Sequence, residues 1–160
     1  MPAMPNARDD LLGLFDFAWG RFRDRMAGLD DQEWAWTPVA GDDRVSIRWR
    51  LDHLADLLTQ DRNASWLGLP RGPQRGAPVA APDGATAVDA VRAGFAHWRG
   101  LLRQADDEAL GRPIGFGPYA ASSRYSFALH LADEMIHHTA EAALLRDLYP
   151  GTTVGERERG

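Results

Sequence analysis

Four stretches of this chain carry apolar residues at intervals of three and four, and none alternates apolar with polar residues as a half-buried strand would. Such spacing lines one side of a helix with side chains that must be buried against another element. The chain is therefore restricted to helix-on-helix packing. The first stripe is Leu11, Phe15, Ala18, Trp19, Phe22, Met26 and Leu29. The second starts at Ser46, a good N-cap, and carries Ile47, Leu51, Leu54, Leu58 and Trp66. The third follows Thr86, which with Asp89 approximates a capping box. Its Val88, Val91, Phe95, Trp98, Leu102 and Ala105 form a bundle-type seam. The fourth runs from Ser122 or Ser123 to Tyr149, where Pro150-Gly151 stops it.

These stripes predict an all-α, antiparallel four-helix bundle occupying residues 1–150 as one domain, with residues 151–160 as a disordered tail. Between helices two and three, GLPRGPQRGAPVAAPDGA is too rich in Gly and Pro for a regular element and reads as a long crossover. Trp34 and Trp36 predict that the segment from Asp30 to Asp43 is a loop packed on the core. Asp106, Asp107 and Glu108 read as a solvated turn.

Composition limits the chemistry. All 18 basic residues are Arg, and the chain of 160 residues has no Lys and no Cys. Schiff bases, a phosphate-binding GxxxxGK[ST] loop, thiolate nucleophiles, disulfides and cysteine-held metals are excluded. Any metal must be held by His, Asp or Glu. With 23 acidic residues the net charge is −5, which argues against a nucleic-acid partner. No run approaches the roughly 18 uncharged apolar residues of a membrane span, and MPAMPNARDD does not read as a secretory signal. A cytoplasmic protein acting on a small molecule, with no nucleic-acid or membrane partner, is expected. A homodimer is expected as well.

The histidines carry the most information. His53 lies on helix two, His97 on helix three, and His130, His137 and His138 on helix four. Glu134 and His138 are four residues apart, about 40° around a helix, within the stripe of Phe127, Leu131, Met135, Ala142 and Leu145. A carboxylate in a core-facing stripe needs a partner, because burying it alone costs several kcal/mol. His138 can be that partner, and so can a cation bound by both. His53, beside Leu51 and Leu54, also faces inward, and two His with one carboxylate are a common donor set for a divalent ion. His130 and His138 are separated by roughly 12 Å along the axis, too far to ligate one ion together. His97 reads as a core histidine. There is no HExxH, and Glu134-x-x-His137 is a single copy of an element that di-iron bundles need twice.

The strings SIRWRLDHLADLL and GPYAASSRYSFALHLADEMIHHTAEAALLRDLY resemble the DinB-like superfamily of metal-binding four-helix bundles. The resemblance is strongest at the W-x-x-x-H of helix two and the E-x-x-H-H-x-x-E of helix four. It implies a metal site in which His53 and His138 fill two places usually held by His, while Glu134 replaces the third His. The implied cofactor is a divalent metal, zinc, nickel or iron. The implied cosubstrate is a low-molecular-weight thiol of the mycothiol type, for a transferase, isomerase or hydrolase reaction. His130, His137 and Glu141 would orient the ligands from behind. The alternative is a non-catalytic bundle that binds a small molecule or dimerises.

Overall fold

The computed structural model describes residues 6–76 and 78–151; the expected tail lies, apart from Gly151, outside the described residues. The described residues form seven helices: α1 (Ala7–Met26), α2 (Asp31–Ala35), α3 (Ile47–Thr59), α4 (Arg62–Trp66), α5 (Gly84–Gln104), α6 (Asp107–Gly111) and α7 (Arg124–Leu148). The four long helices are those the apolar stripes predict. The three short ones punctuate their connections.

Each long helix begins at a side-chain cap. Asn6, Ser46, Asp83 and Ser123 accept from the amides of Asp9, Trp49, Thr86 and Ser126, satisfying donors left over in the first turn. The expected start at Thr86 is thus displaced: Asp83 is the cap, and Thr86 supplies the amide. The second stripe is broken after Thr59. The Thr59 hydroxyl bonds back to the Ala55 carbonyl at 2.8 Å, Gln60 turns to an extended conformation, and Asn63 Nδ2 donates to the Leu57 carbonyl at 2.9 Å. The last of these bonds occupies a carbonyl that a continuing helix would offer to the Asp61 amide. Trp66 therefore sits on α4.

Two segments read as irregular contain helices. Asp30 and Glu33 form a reciprocal capping box that starts α2, and Asp106 caps α6. Trp34 is buried, as its loop reading required.

Around the bundle, α1 packs on α5 and α7, and α3 packs on the same two. Phe15 meets Trp98 while Trp19 stacks on Phe95, so α1 and α5 run antiparallel. His53 lies by Glu134 and Arg50 by Glu141, so α3 and α7 are also antiparallel. By contrast, Tyr125 reaches Ala7 at one end of α1 and α7 and Arg25 pairs with Asp147 at the other, which makes these helices parallel. The Ala81 amide bonds to Asp52, and Gly94 lies against Leu58, so α3 and α5 are parallel too. Two successive parallel helices need a connection that returns along the bundle, which accounts for the long Gly/Pro-rich segment. At Gly94 a Cβ would come within 3.1 Å of Leu58 Cβ and 3.3 Å of Thr59 Cγ2, so glycine allows this close approach.

One ion pair ties three elements together. Glu33 on α2 is buried, and Arg146 Nε on α7 donates to both of its oxygens at 3.1 and 3.2 Å. Arg146 Nη1 also donates to the carbonyls of Arg25 and Ala27 at the end of α1. Removing the cation would leave the buried Glu33 carboxylate with only the Asp30 amide as a donor and strip two carbonyls of theirs. Arg146→Ala is expected to lower unfolding free energy by about 3 kcal/mol in urea denaturation; a loss below about 1 kcal/mol contradicts this role.

The crossover offers Arg71 and Arg75 in exposed backbone outside any helix. Brief tryptic digestion is expected to cut after these residues before any site in α3 or α7. First cleavage within either helix contradicts the assignment.

Candidate metal centre

The antiparallel contact of α3 with α7 sets three predicted residues together. Glu134 Oε2 lies 3.2 Å from His53 Nε2 and 3.2 Å from His138 Nε2. The two imidazole centroids are 4.7 Å apart and nearly perpendicular. One donor atom from each of His53, Glu134 and His138 lies within 4.8 Å of the others, so the group could hold a metal ion. Donors about 2.0–2.1 Å from a tetrahedral ion stand about 3.3 Å from one another. Both contacts of Glu134 match that spacing.

Burial is graded across the group. The His138 side chain is 10% exposed, whereas those of His53 and Glu134 are 31% and 26% exposed. The cluster therefore has its back in the bundle and one side towards solvent, the arrangement of a site with an open position.

A second layer holds these donors. His138 Nδ1 lies 2.7 Å from Glu141 Oε2, and Arg50 Nε makes an ion pair with the same oxygen at 2.8 Å. Trp49 stacks on His53, with centroids 4.9 Å apart and planes 11° apart, and meets His138 edge-on. The Arg50 guanidinium lies over the other aromatic partner, Trp49, at 4.9 Å. Trp49 and Arg50 immobilise both rings, yet the sequence reading gave them no role beyond the Trp of W-x-x-x-H. Their signal was position: Trp49 is one turn before His53, and Arg50 is exposed to α7 only once the helix pairing is known.

The protonation logic of His138 follows from its two neighbours. Both are carboxylates, which only accept hydrogen bonds when ionised. His138 therefore either carries both protons as imidazolium or donates from Nδ1 alone and offers a lone pair at Nε2 to a cation. The second state is the carboxylate–histidine arrangement that orients metal ligands.

The remaining histidines separate as their spacing suggests. His137 is largely exposed and pairs with Glu141 at 3.0 Å; His137, His138 and Glu141 form a second, more exposed group of possible donors. His130 is exposed and lines a neighbouring cavity. His97 is not in the core. It lies half-buried beneath the crossover, 3.4 Å from Arg75, and burial and the Arg75 charge lower its pKa. Elsewhere on α7, Thr139 is a buried hydroxyl and Arg146 is the partner of Glu33.

The chain matches the DinB superfamily over residues 14–142 and belongs to it. A crystal structure of a conserved protein from Enterococcus faecalis superposes with a TM-score of 0.69 at 20% identity, covering 93% of this chain and all of that one. That likeness extends to the fold. No curated protein matches. Among the described residues, no helix is long and apolar enough to cross a membrane.

Burial pushes the Glu134 carboxyl up, but the His53 hydrogen bond and the charges of His138, His130 and His53 outweigh it, and its pKa falls below the ordinary glutamate value. Its stabilising contribution is thus fully present above the unfolded-state pKa and is lost as pH falls through the lower folded-state value. In metal-free protein, a carboxyl-carbon NMR titration is expected to place Glu134 below a free glutamate, and His53→Ala to raise it. An unchanged midpoint in His53→Ala contradicts the geometry.

Proposed function

We propose that this protein is a metal-dependent enzyme of its superfamily, with a divalent ion held by His53 Nε2, Glu134 Oε2 and His138 Nε2. The observation that carries this reading is the pair of 3.2 Å contacts converging on one oxygen of Glu134 from two imidazoles of different helices. Two nitrogens and one carboxylate oxygen suit zinc, nickel or ferrous iron. A divalent ion there supplies Lewis acidity, lowering the pKa of a bound water or thiol into the neutral range.

The chain's own residues have distinct tasks in this scheme. His53 and His138 present neutral nitrogens, and Glu134 offsets one unit of positive charge. Glu141 accepts a hydrogen bond from Nδ1–H of His138 and so directs the Nε2 lone pair inward, while Arg50 holds Glu141 in place. Trp49 walls one side of His53 against water. A low-molecular-weight thiol of the mycothiol type is the proposed cosubstrate, in a transferase, isomerase or hydrolase reaction.

A second reading has its own observation. The same contacts satisfy Glu134 and His138 without an ion if His138 is imidazolium, so the cluster can also be a self-sufficient polar network in a non-catalytic bundle. Stabilisation by metal separates the two. Zinc at 100 times its dissociation constant is expected to add about 2.7 kcal/mol to folding stability. Absence of stabilisation by zinc, nickel, manganese or ferrous iron supports the second reading.

Substitutions locate the ligands. His53→Ala, Glu134→Ala and His138→Ala are each expected to abolish tight metal binding in titrations of variants whose circular dichroism is native. Glu141→Gln and His130→Ala should weaken it by at most about 10–100-fold, and His97→Ala should leave it unchanged. Loss of binding in His137→Ala or His130→Ala with retention in His138→Ala would overturn the ligand set.

A further inference from the structure

A cavity of about 270 Å³ opens beside the candidate centre, between α4, the α6–α7 connection and the first turns of α7. At about 30 Å³ per water it has room for roughly nine waters, the scale of a small organic molecule. None of the three donors lines the cavity, but His130, one turn before Glu134 on α7, does. Trp66, Tyr119, Phe127 and Ile114 make the cavity mainly apolar and flat-walled, with Trp66 edge-on to both Tyr119 and Phe127.

Arg62 is the exception. Its guanidinium lies over the Trp66 ring at 4.5 Å, and its buried Nε has no hydrogen-bond partner. No carboxylate lines the cavity, although the chain has 23 acidic residues. Most arginines facing other elements here are paired: Arg99 with Asp16, Arg146 with Glu33 and Arg50 with Glu141. With Trp66 on one face and no carboxylate in the cavity, the Arg62 guanidinium offers N–H groups that an anion can complete. An anion suited to this cavity would be small and singly charged. Only one arginine lines the cavity, and the Ser126 amide at the start of α7 is already taken by Ser123 Oγ at 3.0 Å, so no cluster of free amides invites a phosphate.

We propose that this cavity binds the substrate of the candidate centre and that the substrate class is small aryl or arylalkyl carboxylates, with the carboxylate on Arg62 and the ring between Trp66, Tyr119 and Phe127. The assignment rests on the metal-centre reading for the word substrate, but the binding itself depends on Arg62 alone. His130, which lines the same cavity, would lie beside such a molecule on the side of α7 that leads to Glu134.

Phenylacetate titrations followed by tryptophan fluorescence and calorimetry test this, with phenylacetamide as the neutral counterpart and inorganic phosphate as the alternative anion. Each is run on zinc-loaded protein, chelator-treated protein and His53→Ala. Saturable phenylacetate binding in the millimolar range is expected in all three, with phenylacetamide and phosphate at least tenfold weaker. Arg62→Gln is expected to weaken phenylacetate at least tenfold, with Arg62→Lys intermediate and both variants native by circular dichroism. Equal binding of phenylacetamide, tighter binding of phosphate, or full affinity in Arg62→Gln overturns the proposal. Binding that disappears on chelation and in His53→Ala while surviving Arg62→Gln places the carboxylate on the metal, which overturns the Arg62 site and leaves the metal centre standing. Binding that persists in protein unable to hold any metal supports the Arg62 site and removes only the catalytic reading.

Discussion

Glu134 is a carboxylate on the face of α7 that packs against α3, and much of the site's arrangement answers the need to partner it. Leaving such a group half-buried without donors would cost several kcal/mol or force its protonation. His53 supplies one donor across the helix interface, and His138 supplies another one turn along. The alternation continues outward through Glu141 to Arg50. Positive or protonatable groups thus alternate with carboxylates across two helices. The network depends on antiparallel α3 and α7 keeping their register, since a slip of one turn would separate His53 from Glu134 and Arg50 from Glu141.

That register is set by the rest of the bundle. Direction reverses between α1 and α3, is kept between α3 and α5, and reverses again at α7. Keeping it requires a crossover that spans the bundle, and Gly94 lets α5 lie close enough to α3 to fix their mutual height. At the other end, the Glu33–Arg146 pair holds the last turn of α7 to α2 and to the end of α1. The bidentate Arg99–Asp16 contact, at 2.7 and 2.8 Å, links α5 to α1 on the far side. The candidate centre therefore sits midway along a helix secured at both ends, and its donors inherit that rigidity.

Sequence periodicity was sufficient for the four long helices because each buries one stripe, and Ser46 and Ser123 carried their own capping chemistry. The inward positions of His53, Glu134 and His138 were legible for the same reason. What escaped was decided by contacts between distant segments or by competing local hydrogen bonds. Asp83 outcompetes Thr86 as a cap, a choice that the two adjacent candidate sequences leave open. The break after Thr59 depends on Asn63 reaching back to Leu57. Arg146 looks like a surface residue until α2 brings Glu33 beneath it, and Arg50 acquires its role only when α7 is in place. The capping box of α2 and the Asp106 cap of α6 were readable in principle, but five-residue helices leave no periodic stripe to find.

The proposed function requires an ion that joins the two imidazoles and the carboxylate. Anomalous diffraction from crystals of untagged protein grown with zinc tests it most directly. One dominant peak is expected about 2.0–2.2 Å from His53 Nε2, Glu134 Oε2 and His138 Nε2, with His138 Nδ1 still directed at Glu141. A dominant peak on His137 and Glu141 instead, or none in crystals whose site is free of lattice contacts, would contradict it.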